Sequence, residues 1–406
     1  MRAEFVLCCL LVAATAVADD LDTEFGGHTK LRVVSQGYPE DSIYHDLVGN
    51  TATDVSASLR LNFGARAGPW SFDSAYQLVG LRADSLAFET LPNDDDRLFS
   101  LTDVIHSSDD AAVLHRVDRL SLAWTSEKTV VRFGRQALSW GNGLAYAPMD
   151  LVNPFDPASI DTEYKAGDDM LYVQYLQDSG NDWQAAYVVR RDLATGEVEH
   201  DESTFAVKYH GFAGESEFDA LLATSYGDEV LGIGARHAIG GAMWSADVVL
   251  TKTDLDTYVQ VVTNLLYSWV WGGRNMSGGF EYYFNGFGQR DGRYDLPSIA
   301  ANPDLALRLA RGELFAIGRH YLSANVLVEM SPLWTLTPTL LLNLEDPSAL
   351  LQLITSYSLG DNMTFLASVN LPIGPSGTEF GGIDAGLPGR YLSRGAGVFA
   401  QLAWYF

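Results

Sequence analysis

Along most of this chain every second position is apolar, in runs of about ten residues separated by Gly, Asn, Asp or Pro. Val55, Ala57, Leu59, Leu61 and Phe63 make one such run, and Trp70, Phe72, Tyr76 and Leu78 the next, after Ala67-Gly68-Pro69. Leu120, Leu122 and Trp124 face Thr129, Val131 and Phe133 across Ser126-Glu127. A strand sends successive side chains to opposite faces, so each run predicts a β-strand with one apolar and one polar face. The connections alternate in length. Tight ones such as Gly214-Glu215, Gly240-Gly241, Gly272-Gly273, Ser331-Pro332 and Gly360-Asp361 carry turn residues. The long ones, near 39–50, 85–111, 142–168, 192–203, 286–318 and 373–390, all fall on the opposite side. The pattern predicts an all-β fold: a transmembrane, antiparallel, up-and-down β-barrel of about 18 strands with short periplasmic turns and long extracellular loops. Tryptophans 70, 124, 183, 244, 269, 271, 334 and 404 lie close to short turns, as an aromatic girdle requires.

The two ends agree with this reading. In the last strand Ala396, Val398, Ala400, Leu402, Trp404 and Phe406 share a face, and the segment resembles the C-terminal signal of bacterial outer-membrane barrels. That resemblance implies recognition of Phe406 by the barrel-assembly machinery. Residues 1–18 combine Arg2, an apolar run from Phe5 to Val12 and the small ending Ala16-Val17-Ala18, and are expected to be a removed signal peptide. Residues 19–406 then form a single barrel domain, exported to the outer membrane and in contact there with lipid and lipopolysaccharide. Cys8 and Cys9, the two cysteines of the sequence, fall in that leader, so the mature domain is expected to use no disulfide or thiolate chemistry.

Composition narrows the alternatives. After the leader no stretch reaches the ~20 unbroken apolar residues of a spanning helix. Mean hydropathy is +0.00 with 47% hydrophobic residues, which suits strands that alternate between lipid and a polar lumen. A formal charge of -26 argues against a nucleic-acid partner.

The most distinctive segment runs from Val131-Arg132-Phe133-Gly134-Arg135-Gln136 through Trp140-Gly141-Asn142-Gly143 to Pro148-Met149-Asp150-Leu151-Val152-Asn153-Pro154-Phe155-Asp156-Pro157. It resembles the corresponding strand and loop of the alginate-export type of outer-membrane porin and of related porin-like barrels. That resemblance covers residues 131–157 and implies export of an acidic polysaccharide. The residues carry a reading of their own. Met149, Leu151, Val152 and Phe155 are too apolar for a loop tip in water, and proline stiffens the course. The loop near 142–168, with Trp140, Asn142, Met149, Asp150, Asn153, Pro154 and Phe155, is expected to fold into the lumen as a constriction.

Strand parity assigns the lumen charges. Arg60, Arg119, Arg132, Arg190 and Lys208, with Arg32, form an expected basic wall, opposite an acidic wall of Asp219, Asp247, Glu281 and Glu329. Asp118 and Arg135 carry lipid-side parity and are expected to pair at the rim, or to mark a bulge at Gly134. The eight histidines are scattered and no ligand spacing suggests a metal or cofactor. No catalytic constellation stands out, so an enzyme is not expected. Pro303 to Gly312 predicts a short helix in a long loop. The expected function is passive passage of hydrophilic or anionic solutes, or export of an acidic polysaccharide. A plugged barrel serving as scaffold for an export or partner complex, or a lipid- or hydrophobe-handling barrel, stands as the alternative.

Overall fold

The structure is a computed structural model that describes residues 21–290, 292 and 294–406. The expected leader and both cysteines lie outside the described residues. Eighteen strands close a barrel in which each pairs antiparallel with its sequence neighbours. They are Asp22–Gly37 (β1), Thr51–Ala67 (β2), Trp70–Ala83 (β3), Ala111–Thr125 (β4), Thr129–Gln136 (β5) and Asp168–Leu176 (β6). There follow Asp182–Val188 (β7), Thr204–Ala213 (β8), Ser216–Ser225 (β9), Asp228–Ile239 (β10), Ala242–Lys252 (β11) and Thr257–Trp271 (β12). The last six are Arg274–Asn285 (β13), His320–Ser331 (β14), Trp334–Asn343 (β15), Ser348–Gly360 (β16), Met363–Ile373 (β17) and Gly397–Tyr405 (β18). Closure comes from β1 on β18, where Arg32 lies opposite Gln401 and Val33 opposite Ala400. An even strand number is what lets the first and last strands meet antiparallel.

The period-two pattern decides which face is which. Phe63, Phe133, Trp183, Leu222, Ile233 and Phe280 are exposed on the outer face. Ser121, Asp247, Asn264, Glu281 and Gln352, on the opposite face of their strands, are buried inside. An apolar band around a polar interior is the arrangement of a transmembrane barrel, in which closure leaves no ladder unpaired toward lipid.

Strand β5 is short. After Gln136 the chain leaves the wall and re-enters it at Asp168, so the upper wall between β4 and β6 lacks a strand. The connection 84–110 fills that gap. Its strand Thr102–Ser107 pairs with Ala112–Arg116 of β4, and Leu101 O accepts from Val117 N at 2.9 Å. Beyond it, Asp96 O accepts from Arg191 N. The helix expected near Pro303 is present as Pro303–Ala310, capped by the Asn302 side chain and ended before Gly312, whose φ is +68°. It sits on the long-loop end, where Arg308 bonds Asp228 at the start of β10 and lies over the Phe287 ring.

Candidate functional site: the lumen and its inward loop

Residues 137–167, five positions earlier at the start than the sequence suggests, fold into the lumen and make most of a circuit of the wall. The first half packs against apolar side chains of the wall. Trp140 and the fully buried Met149 join Leu221, Val230 and Val249 in one cluster, and Val152 joins Met170 and Val188 in another. Burying these side chains answers the apolar loop composition, at about 1.5–3 kcal/mol for each large residue removed from water. Trp140 Nε1 donates to Gln184 Oε1 at 2.7 Å. Pro154 and Phe155 follow Asn153, which takes a left-handed φ of 51° and donates from Nδ2 to Asp168 at 3.3 Å.

Two wall carboxylates hold this half. Asp247 accepts from the Asn142 backbone N–H at 2.7 Å and from its Nδ2 at 2.6 Å. Glu281 accepts from three successive backbone N–H groups, those of Leu144, Ala145 and Tyr146, at 2.5, 3.0 and 2.9 Å. A carboxylate offers about four acceptor positions, so Asn264 Nδ2, at 3.2 Å, completes its shell. Two of the four residues expected to form an acidic pore wall therefore face loop backbone. The loop closes on itself where Lys165 Nζ meets Asp150 at 2.6 Å and Leu138 O at 2.5 Å. Burial pushes the Asp150 carboxyl up to about 6 even with the ammonium beside it.

The second half crosses the lumen. Ala158 O accepts from Gln352 Nε2 at 2.9 Å on β16. Asp161 meets Lys30 at 2.8 Å and Arg32 at 2.9 Å, and Glu163 meets Lys30 at 2.8 Å and the Tyr405 hydroxyl at 2.9 Å. The Tyr164 ring lies 4.3 Å from the Arg60 guanidinium carbon and stacks on His28 at 5.3 Å.

The expected charges sort by what they touch. Arg60 is buried and bonds Asp118 at 2.6 Å; Arg119 bonds the same carboxylate at 3.0 Å and the Lys165 carbonyl at 2.6 Å. Arg132 has no carboxylate partner among the described residues, and its Nε is buried without a hydrogen bond. Arg190 sits away from the open lumen, between Asp168 and Asp96. Lys208 shares Asp219 with His210. Glu329, near the short-turn end, is exposed and bonds Asn275 at 2.7 Å.

The expected Asp118–Arg135 pair does not form. Asp118 is an extra residue on β4: Val117 and Arg119 lie opposite the consecutive Tyr76 and Ala75, so the bulge is there and turns the carboxylate inward. Arg135 is buried at the wall gap instead. It bonds Asp169 through Nε at 2.9 Å and Nη2 at 3.0 Å, Asp94 at 2.9 Å and the Phe99 carbonyl at 2.6 Å. Two residues that sequence reasoning passed over prove central. Lys30 shares the inward parity of Arg32 and could have been found by it. Arg116 could not, because the bulge gives it and Arg119 opposite apparent parity while both point inward.

An open space of about 520 Å³ lies between β1–β4, the second half of the inward loop and residues 84–92. Lys30, Arg32, Arg60 and Arg116 line it, with Asp54, Glu89 and Asp161. A second space of about 260 Å³ lies under Gly141–Leu144, bordered by Arg236, Met243 and Leu266. Toward the short turns the inward-facing Asn325, Leu327 and Glu329 are exposed, so the lumen opens there.

No protein-family model matches the sequence, and a search of curated proteins returns no match. Solved structures are similar in fold. OccAB3 of Acinetobacter baumannii is 8% identical with a TM-score of 0.56, over 95% of this chain and 99% of that one. OccAB4 of the same organism gives 0.54 at 8% identity, over 95% and 98% of the two chains. A BenF-like porin from Pseudomonas fluorescens Pf-5 gives 0.52, again at 8% identity over 95% and 98%. At such identity the likeness is one of fold: this chain has the closed barrel of these porins.

Proposed function

We propose that the protein is a bacterial outer-membrane channel that passes small anionic solutes by diffusion, around a constriction made by residues 137–167. The observation that carries this is the arrangement of charge about that loop. Asp247 and Glu281 are spent on loop backbone, whereas Arg116, on the open space that Lys30, Arg32 and Arg60 share with Asp54, Glu89 and Asp161, has no carboxylate within ion-pair distance among the described residues. A cation without a paired carboxylate beside a narrowed passage favours anions. The short turns would lie in the periplasm and the long loops outside the cell. Phe406, whose backbone bonds Gly27 in both directions at 2.9 and 3.0 Å, is proposed as the feature read by the assembly machinery.

An extended acidic polysaccharide, the cargo implied by the resemblance at residues 131–157, fits less well. It would have to displace a segment tied to the wall at Gln184, Asp247, Glu281, Gln352 and Lys30. Planar-bilayer recordings of the purified protein test the proposal. Steady conductance with anion-selective reversal potentials is expected, and the selectivity should fall in a Lys30→Ala/Arg32→Ala variant. Conductance that appears only after residues 142–167 are deleted would instead assign a plugged barrel with a scaffold role.

A further inference from the structure

The 520 Å³ chamber has two unlike halves, set by the register of four strands. At one level His28, Arg60, Gln77 and Arg116 lie side by side across β1, β2, β3 and β4. One step toward the long loops the inward residues are Lys30, Ser58, Val79 and Leu114; one step further they are Arg32, Ser56, Leu81 and Ala112. On the β3–β4 side the chamber therefore has a guanidinium floor and a hydrocarbon wall above it. Leu86, Leu91 and Pro92 continue that hydrocarbon overhead.

The floor cations are not equivalent. Arg60 is engaged by Asp118, Asn62 and the Tyr164 ring. Arg116 donates Nε to Gln77 Oε1 at 2.7 Å, which fixes the plane of its guanidinium. Its two terminal nitrogens have no hydrogen bond to the described residues, and it has no carboxylate within ion-pair distance among them. A planar fork held by its inner nitrogen and open at its outer two is the arrangement that accepts a carboxylate bidentately.

We infer that this chamber is a binding subsite for a monocarboxylate with an apolar body, its carboxylate on Arg116 and its hydrocarbon against Val79, Leu81 and Leu114. The inference deepens the channel reading and rests on it for its role in passage, but binding itself needs no open pore. The solute class differs from a fully hydrophilic anion. A polyhydroxylated acid would set its hydroxyl groups against the Leu81–Leu114 wall, where nothing replaces their water. A neutral alcohol of the same body would leave Arg116 without its counter-ion.

Calorimetric titration of the folded barrel in detergent tests this, with hexanoate, gluconate and hexanol as probes. Hexanoate is expected to bind at least about tenfold more tightly than either of the others. Arg116→Gln should abolish the preference for hexanoate over hexanol. Leu114→Gln should abolish the preference over gluconate and leave gluconate binding as it was. Retention of the heat-resistant gel mobility of a closed barrel reports that each variant folds. Equal binding of hexanoate and gluconate, or an unchanged hexanoate affinity in Arg116→Gln, overturns the subsite. Failure of the channel reading is seen separately, as absent chloride conductance in a bilayer while calorimetry still reports binding.

Discussion

Arg135 is where a single residue matters most. It stands at the last turn of strand before the chain leaves the wall, and joins the three segments that meet there: β5, β6 through Asp169, and the filler 94–107 through Asp94 and Phe99 O. Neither carboxylate is solvent-accessible, so removing the guanidinium leaves two buried charges with one partner fewer. Arg135→Ala is expected to destabilise the barrel by about 3–5 kcal/mol, read in a reversible urea unfolding series in lipid vesicles. Arg135→Lys should recover only part of this, since an ammonium cannot hold Asp169 through two nitrogens. Gly134 beside it has a φ of +118°, and a Cβ there would lie 2.1 Å from the Leu120 carbonyl oxygen. Only glycine suits this exit from the wall. The motif around Arg135 was visible in the sequence, but its place was not. Parity put the side chain in lipid, and the covering segment 94–101 comes from an earlier loop with no sequence signal for the gap it fills.

At the scale of elements, the inward loop is held by polar contacts spaced around the wall rather than by secondary structure of its own. Glu281 is the densest of these anchors. Glu281→Ala removes the shared acceptor of three amides, each a charge-assisted bond worth about 1.5–3 kcal/mol. Hydrogen exchange at Leu144, Ala145 and Tyr146 should quicken by about tenfold or more, and single-channel conductance should rise as the loop moves from the axis. Asn142→Ala should act more mildly, because Asp247 keeps the backbone bond. That residues 137–167 turn inward follows from their composition: Met149, Leu151 and Val152 need cover and find it, while Phe155 stays 38% exposed. What they turn toward does not. Glu281 and Tyr146 are separated by 135 positions, and Lys30 and Asp161 by 131, beyond the reach of any periodicity argument.

For the whole molecule, the long loops are fastened to one another through Glu379. Its buried carboxylate accepts from the Tyr321 hydroxyl at 2.6 Å, Asn343 Nδ2 at 2.7 Å and Ile317 N–H at 3.0 Å. Tyr321 in turn contacts Tyr146 of the inward loop, with ring centroids 5.3 Å apart. Burial, with Asp346 adding to it, pushes the Glu379 carboxyl up to about 7. Between about pH 4.5 and 7 the docked loop holds a proton that the released loop gives up, so docking weakens as pH rises through this window and levels off above it. Proteolysis of the 374–396 connection should be slower at pH 5 than at pH 8, and Glu379→Gln should remain protected at both. A rate independent of pH in the unaltered protein would refute this linkage.

The alternation of apolar and polar positions, the alternation of connection lengths and the tryptophans at the short turns determined the barrel and a count of about eighteen strands, and the apolar residues of one long loop determined its inward course. These are local properties, set by the two-residue repeat of a strand and by the need of apolar side chains for cover. Which lumen charges stay free was decided by the tertiary structure. Asp247 and Glu281 are consumed by a loop more than a hundred positions away, Arg190 by the wall filler, and one bulge at Asp118 brings Arg116 inside. Charge pairing depends on distance in space, and in a closed barrel that distance is set only when the first and last strands meet.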